Sequence, residues 1–189
     1  MENIILEIGR KVLKFVRYVS LLEIFLLYLG VFCVFFAGQR YGMNFSLDYG
    51  TYSLQVPIFF PIMVLVLVGV ILYFVSKMML VLDRLLINFQ NDIYFIPENI
   101  KFLSKTFRYL LLSTGIELFI NIIFNFFSIE NTSGLFDLSV KDYLVNFAFI
   151  VINAVGLLIL KRGYQVQKDY DEIIWYGRHE SSFRQNHQV

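Results

Sequence analysis

Apolar positions along this chain gather into four long runs, residues 18–36, 57–79, 107–127 and 143–160, with polar residues returning between them. Each run is about 18–23 residues, which at 1.5 Å per helical residue crosses a hydrocarbon layer about 30 Å thick. Backbone groups in lipid must be satisfied within their own segment, and no run alternates as a barrel strand would. The pattern therefore predicts an all-α fold, an integral membrane four-helix bundle.

The stretches between the runs are patterned as well. Ahead of the first, Ile5, Ile8, Val12 and Val16 share one helical face, while Glu7, Arg10, Lys11, Lys14 and Arg17 share the other. Residues 1–17 thus read as an amphipathic helix suited to the membrane interface. Between the second and third runs stands "RLLINFQNDIYFIPENIKFLSKTFR". Leu82, Leu85, Leu86 and Phe89 carry an apolar stripe onward at helical spacing, and "QNDIYF" breaks it. Pro97 and Glu98 then fit the first turn of a new helix, so the segment predicts a helical elbow. The loop "GQRYGMNFSLDYGTYSLQVP" alternates around Asp48-Tyr49-Gly50 and predicts a hairpin or short cap. "SIENTSGLFDLSVKD" reads as a turn-rich connector. The resulting division is an interfacial helix at 1–17, a four-span domain at 18–160 and a polar tail at 161–189.

Composition sharpens the class. Hydrophobic residues make up 58% of the 189 and charged residues 16%, against about 45–50% and about 25% in soluble domains. Fourteen of the 16 Lys and Arg lie in the N-terminal flank, the elbow and the tail, leaving only Arg40 and Lys141 in the other two loops. That bias places both termini and the elbow on the cytoplasmic side. A net charge of +1 argues against direct nucleic-acid binding, which relies on phosphate neutralisation. A single cysteine, Cys33, excludes an intrachain disulfide. The first run has cationic flanks like a signal peptide, but it is span-length and offers Phe35 where a small residue is needed, so a retained helix is expected.

Catalytic chemistry is hard to find. His179 and His187 are the only histidines, both in the tail, and no metal-ligand spacing, phosphate loop or nucleophile elbow occurs. The expectation is a non-enzyme with no catalytic residues, no metal and no cofactor. Two carboxylates interrupt apolar runs, Glu23 and Glu117. Glu117 shares a face with Asn121 at i+4, and Asn146 and Asn153 lie seven apart on the fourth run. With Phe107 and Leu160 taken as level ends of antiparallel helices, Asn121 falls opposite Asn146, and Glu117 comes within reach of Asn153. This polar seam would either hydrogen-bond the helices together or line a proton or cation path. Glu23, near the start of its run, would reach the interface or pair with Lys77.

Two stretches carry a resemblance. Leu85-Leu86, the "QND" break, Phe95 and Pro97-Glu98-Asn99 form the first; Lys161-Arg162-Gly163, Gln165-Val166 and the acidic cluster from Asp169 to Glu172 form the second. Together they resemble the signatures of a family of small bacterial membrane proteins known as domain of unknown function 2975, over roughly residues 57–174. The chain departs from that pattern at Ile96, where a capping Ser is common, and at Ile173, where a Thr is often found. The family has no assigned activity, so no catalytic residue carries over. Its members tend to be encoded beside helix-turn-helix regulators. The resemblance therefore implies a multi-pass protein of a bacterial cytoplasmic membrane, acting on regulation through a protein partner at its cytoplasmic face. Candidate docking residues are Phe95, Pro97, Glu98 and Asn99 in the elbow and Arg162, Gly163, Asp169, Asp171 and Trp175 after the last run. The lipid bilayer is the other expected partner, and the reading admits a homo-oligomer. Rival readings are an immunity or resistance protein against a toxin peptide, and a small proton- or cation-coupled transporter using Glu117.

Overall fold

The structure, a computed structural model, describes residues 2–37, 40–41, 44–49, 52–57, 59–126 and 140–186. Four helices dominate: α1 (Glu2–Ala37), α2 (Phe59–Gln90), α3 (Pro97–Phe126) and α4 (Val140–Asn186). All four are long and apolar enough to cross a membrane, which makes this a multi-pass membrane architecture.

The helices outrun the apolar stretches that predict them. α1 has 36 residues, about 54 Å at 1.5 Å each, and absorbs residues 2–17 and the first apolar run without a break. α2 continues beyond its apolar run to Gln90. α4 has 47 residues, roughly 70 Å, and its last two dozen residues leave the apolar run behind. Backbone hydrogen bonding propagates a helix wherever propensity allows, so the ends follow turn chemistry and not the edge of the hydrocarbon.

Close backbone approaches among the described helices occur only between neighbours in the chain, α1 with α2, α2 with α3 and α3 with α4. The expected bundle is thus an open row in the described residues, with no contact closing α1 onto α4. In keeping with that, 22% of the apolar window is buried in α2 and in α3, but only 6% in α1 and in α4. The outer helices leave Leu22, Phe25, Phe32, Phe147, Ile152 and Leu158 exposed, a surface that lipid or a further copy would cover.

At the central α2–α3 seam, Phe60 and Val64 pack with Ile123 at one end. Leu85 and Leu103 gather with Leu160 of α4 at the other. Phe74 and Tyr109 stack across the middle at 5.8 Å. Ser76, Thr106 and Ser113 are buried along these helices. Thr106 and Ser113 return their hydroxyls to carbonyls of their own helix, Phe102 and Leu110. Small residues let the backbones approach where there is no water to drive apolar association.

Strands accompany the helices, so the all-α expectation holds for the spans and not for the loop between the first two. β1 (Arg40–Tyr41), β2 (Asn44–Tyr49) and β3 (Tyr52–Pro57) form an antiparallel sheet in chain order. Tyr49 pairs with Tyr52 and Asn44 with Pro57. The alternation in this loop predicts such a hairpin; Pro, which cannot donate to a ladder, closes its last strand. Most of the expected turn-rich connector between the third and fourth spans, residues 127–139, lies outside the described residues.

Candidate functional site

The elbow is built by two helix ends and a six-residue turn. α2 stops in a Schellman motif: Ile93 N–H donates to Asn88 C=O at 2.9 Å and Asp92 N–H to Phe89 C=O at 3.2 Å. Asp92 takes the left-handed conformation at φ 59°, a position that Gly or Asn usually fills. Its carboxylate accepts from the Tyr94 hydroxyl at 2.9 Å. α3 then begins with Ile96 as cap, whose carbonyl receives Asn99 N–H at 3.1 Å and Ile100 N–H at 3.4 Å. Pro97 sits at the first helical position, where its missing N–H costs nothing.

Asn99 joins the two ends. Its side-chain amide donates to the carbonyls of Ile93 and Tyr94, both at 2.8 Å, and its Oδ1 accepts from Asn88 Nδ2 at 2.6 Å. Asn99 itself is sealed from solvent, at 0% exposed, while its partners Ile93 and Tyr94 lie on the surface of the turn. The sequence places Asn99 among docking residues; the structure instead commits every polar atom of its side chain to the elbow's own frame. Ile96 offers no side-chain acceptor at the helix start, and Asn99 supplies an alternative fastening from inside.

The second signature meets the first here. Gly163 of α4 lies under the Phe95 ring so closely that a Cβ would fall within the ring's carbon atoms. The ring belongs to an aromatic series, Phe89 to Tyr94 at 5.5 Å and Tyr94 to Phe95 at 6.5 Å. Below it, Leu85, Leu103 and Leu160 share a cluster with Phe89, Ile100 and Leu157. Two turns earlier on α4, a Cβ on Gly156 would meet Leu103 Cδ2 at 3.2 Å. The elbow is therefore seated on α4 at a glycine, through Phe95 over Gly163.

From Lys161 to Trp175 the fourth helix is exposed at every residue except Gly163 and Tyr164. Arg162, Asp169, Asp171 and Trp175 are exposed there, as are Pro97, Glu98 and the outer side of Phe95 in the elbow. Val166, Tyr170 and Ile173, spaced four and three apart, form an exposed apolar stripe at 68%, 63% and 69% exposure, with Ile174 beside it. Trp175 lies on the far side of the helix from this stripe. Lys168 and Glu172 brace the polar side at 3.6 Å.

Within the spans, Asn146 Nδ2 donates to Glu117 Oε2 at 2.6 Å. α3 and α4 thus meet through a polar pair, but one turn away from the expected register. Asn146 faces Glu117 instead of Asn121. Asn153 does not reach Glu117 and instead donates to the carbonyl of Phe149 on its own helix at 2.9 Å. The offset has a cause: hydropathy suggests Phe107 as the level partner of Leu160, but Leu160 packs with Leu103, one turn earlier on α3. Asn121 is half-buried one turn above Glu117. Glu23 is exposed on α1, and Lys77 reaches the Tyr73 ring at 5.3 Å from its centroid, not Glu23.

Several participants carry no recognisable sequence signal. Arg10 bridges from α1 to Asp83 at 3.0 Å and to Gln90 at 2.7 Å on α2, beside Gly9, whose Cβ would touch Leu86 at 3.4 Å. Asn88 is another, since nothing local links it to Asn99 eleven residues on. Among the described residues no cluster of His, Cys, Asp or Glu could hold a metal ion. No protein-family model, curated protein or solved structure matches this chain.

Proposed function

We propose that this is a regulatory membrane protein that works by docking a cytoplasmic protein on the elbow and the projecting part of α4. The observation that carries the reading is the exposed apolar stripe Val166, Tyr170 and Ile173 on a helix anchored at its base by Phe95 over Gly163. An amphipathic helix face left bare in water is a recognised mode of partner capture. The distribution of Lys and Arg supports placing the elbow, the stripe and both termini in the cytoplasm. The resemblance at the two signatures supports a bacterial cytoplasmic membrane and a partner of the helix-turn-helix regulator class. Arg162, Asp169, Asp171, Glu98 and Pro97 would form the polar rim. The protein acts without catalysis on this reading.

The test is copurification from detergent-solubilised native membranes with the wild-type chain and with Val166→Lys/Ile173→Lys. Both proteins should reach the membrane in equal amounts, and only the wild type should retain a stoichiometric partner. Equal recovery by both would refute the reading. A second reading, proton- or cation-coupled transport, draws on the Glu117–Asn146 pair within the spans. Flux in liposomes that disappears in Glu117→Gln would favour it.

A further inference from the structure

The groove between α1 and α2 changes character along its length. Near the elbow it is a cavity of about 120 Å³ bordered by Lys14, Arg17 and Tyr18 of α1 and by Met79, Leu80 and Asp83 of α2. Toward the hairpin it opens into an apolar cavity of about 240 Å³, bordered by Ile24, Tyr28 and Val31 and by Val66, Gly69 and Tyr73. The two cavities lie on one stripe. Arg17, Ile24 and Val31 recur every seven residues on α1, and so do Leu80, Tyr73 and Val66 on α2, a spacing that returns to the same helical face. From Arg17 to Val31 the stripe rises about 21 Å.

Charge separates the two ends. Of the four cations before the first apolar run, Arg10 is engaged by Asp83 and Lys11 by Glu7. Lys14 and Arg17 have no carboxylate partner among the described residues, although both border the cavity. The Asp83 carboxylate in the same wall is already offset by Arg10 at 3.0 Å. Arg17 immediately precedes the apolar run, the depth at which lipid headgroups lie. At the other end Gly69 meets nothing within 4 Å of its Cβ position, so the wall there is open along the helix.

We propose that this groove seats one phospholipid with an anionic headgroup, the phosphate between Lys14 and Arg17 and an acyl chain along Gly69 and Tyr73. The cationic end alone would suit any phosphate. The apolar continuation on the same stripe selects a lipid. The site is separate from the α4 stripe, so it stands or falls independently of protein docking.

Native mass spectrometry of the full-length chain in detergent tests it, with phosphatidylglycerol, phosphatidylcholine of the same acyl chains, or inorganic phosphate added. Each cation near an anionic headgroup accounts for about a fivefold preference, so Lys14 and Arg17 together predict roughly 25-fold retention of one phosphatidylglycerol over phosphatidylcholine. Lys14→Gln/Arg17→Gln should lose that preference, and Gly69→Leu should lose the retained lipid by filling the groove. Lys101→Gln/Lys105→Gln, exposed on α3 near the elbow, should behave as wild type. Equal retention of the two lipids by the wild type would overturn the proposal, whatever the variants do. So would a preference that survives Lys14→Gln/Arg17→Gln, full retention in Gly69→Leu, or displacement of the lipid by equimolar inorganic phosphate, which would make this a free-anion site.

Discussion

The Phe95 ring covers the Cα of Gly163 with no room for a methyl group between them. This contact couples the elbow to α4 and predicts a sign change in a double-mutant cycle. Gly163→Ala alone should lower thermal stability in detergent, because the ring must swing away. In a Phe95→Ala background the same change should raise stability by about 1 kcal/mol, the helix propensity gained over glycine. The coupling energy should be about 1–3 kcal/mol; additive effects would show that the ring does not rest there.

Asn99 predicts a larger loss. Removing its side chain in Asn99→Ala strands the carbonyls of Ile93 and Tyr94 and the Asn88 amide, all of which it now satisfies. At about 1–3 kcal/mol for a buried group left unpaired, and less where water reaches these part-buried groups, the elbow should become less protected than the helices it joins. Hydrogen exchange should rise at Ile93 to Ile100 while the α2–α3 seam near Phe74 and Tyr109 is unchanged.

Asp92 should be tolerant in one direction only. At φ 59°, Asp92→Gly should leave stability equal or better by up to about 1 kcal/mol, since glycine adopts this conformation without steric cost. Asp92→Val should cost about 1–2 kcal/mol. Melting curves of the two variants give the comparison.

The Glu117–Asn146 bond predicts an asymmetric pair of substitutions. Glu117→Gln keeps an acceptor for Asn146 Nδ2 and should preserve folding. Asn146→Leu removes the donor and should cost about 0.6–2 kcal/mol, the range for interhelical hydrogen bonds in membranes. Equal melting temperatures for wild type and Asn146→Leu would mean that the pair contributes nothing to α3–α4 packing.

The spans were legible because lipid demands about twenty consecutive apolar residues and polar backbone cannot be left there unsatisfied. Helix ends were less legible. α2 runs to Gln90 and α4 to Asn186, since neither end is set by hydrophobicity. The one-turn error in pairing Asn146 has the same origin: α3 starts at Pro97, and its register against α4 is fixed by Leu103, Gly156 and Gly163, which hydropathy does not weigh. The open row was hidden too, because apolar faces bound for lipid and for a neighbouring helix look alike in sequence. Asn99 resembled an exposed signature residue, and only the three-dimensional turn shows that its amide reaches Ile93 and Tyr94.

Topology can be checked before anything else. In a Cys33→Ser background, a cysteine at Asn44 should react with a membrane-impermeant thiol reagent in intact cells, and one at Asn91 should not. Labelling at Asn91 from outside would invert the orientation inferred from the Lys and Arg distribution.

The most direct test of docking on α4 is site-specific photocrosslinking in living cells. A photoreactive residue replaces Val166, Tyr170 or Ile173 on the apolar stripe, or Lys168 on the opposite side. The three stripe positions should each trap the same cytoplasmic protein, and Lys168 should trap little of it. Crosslinks of equal yield from both sides, or none to any protein from the stripe, would contradict the account.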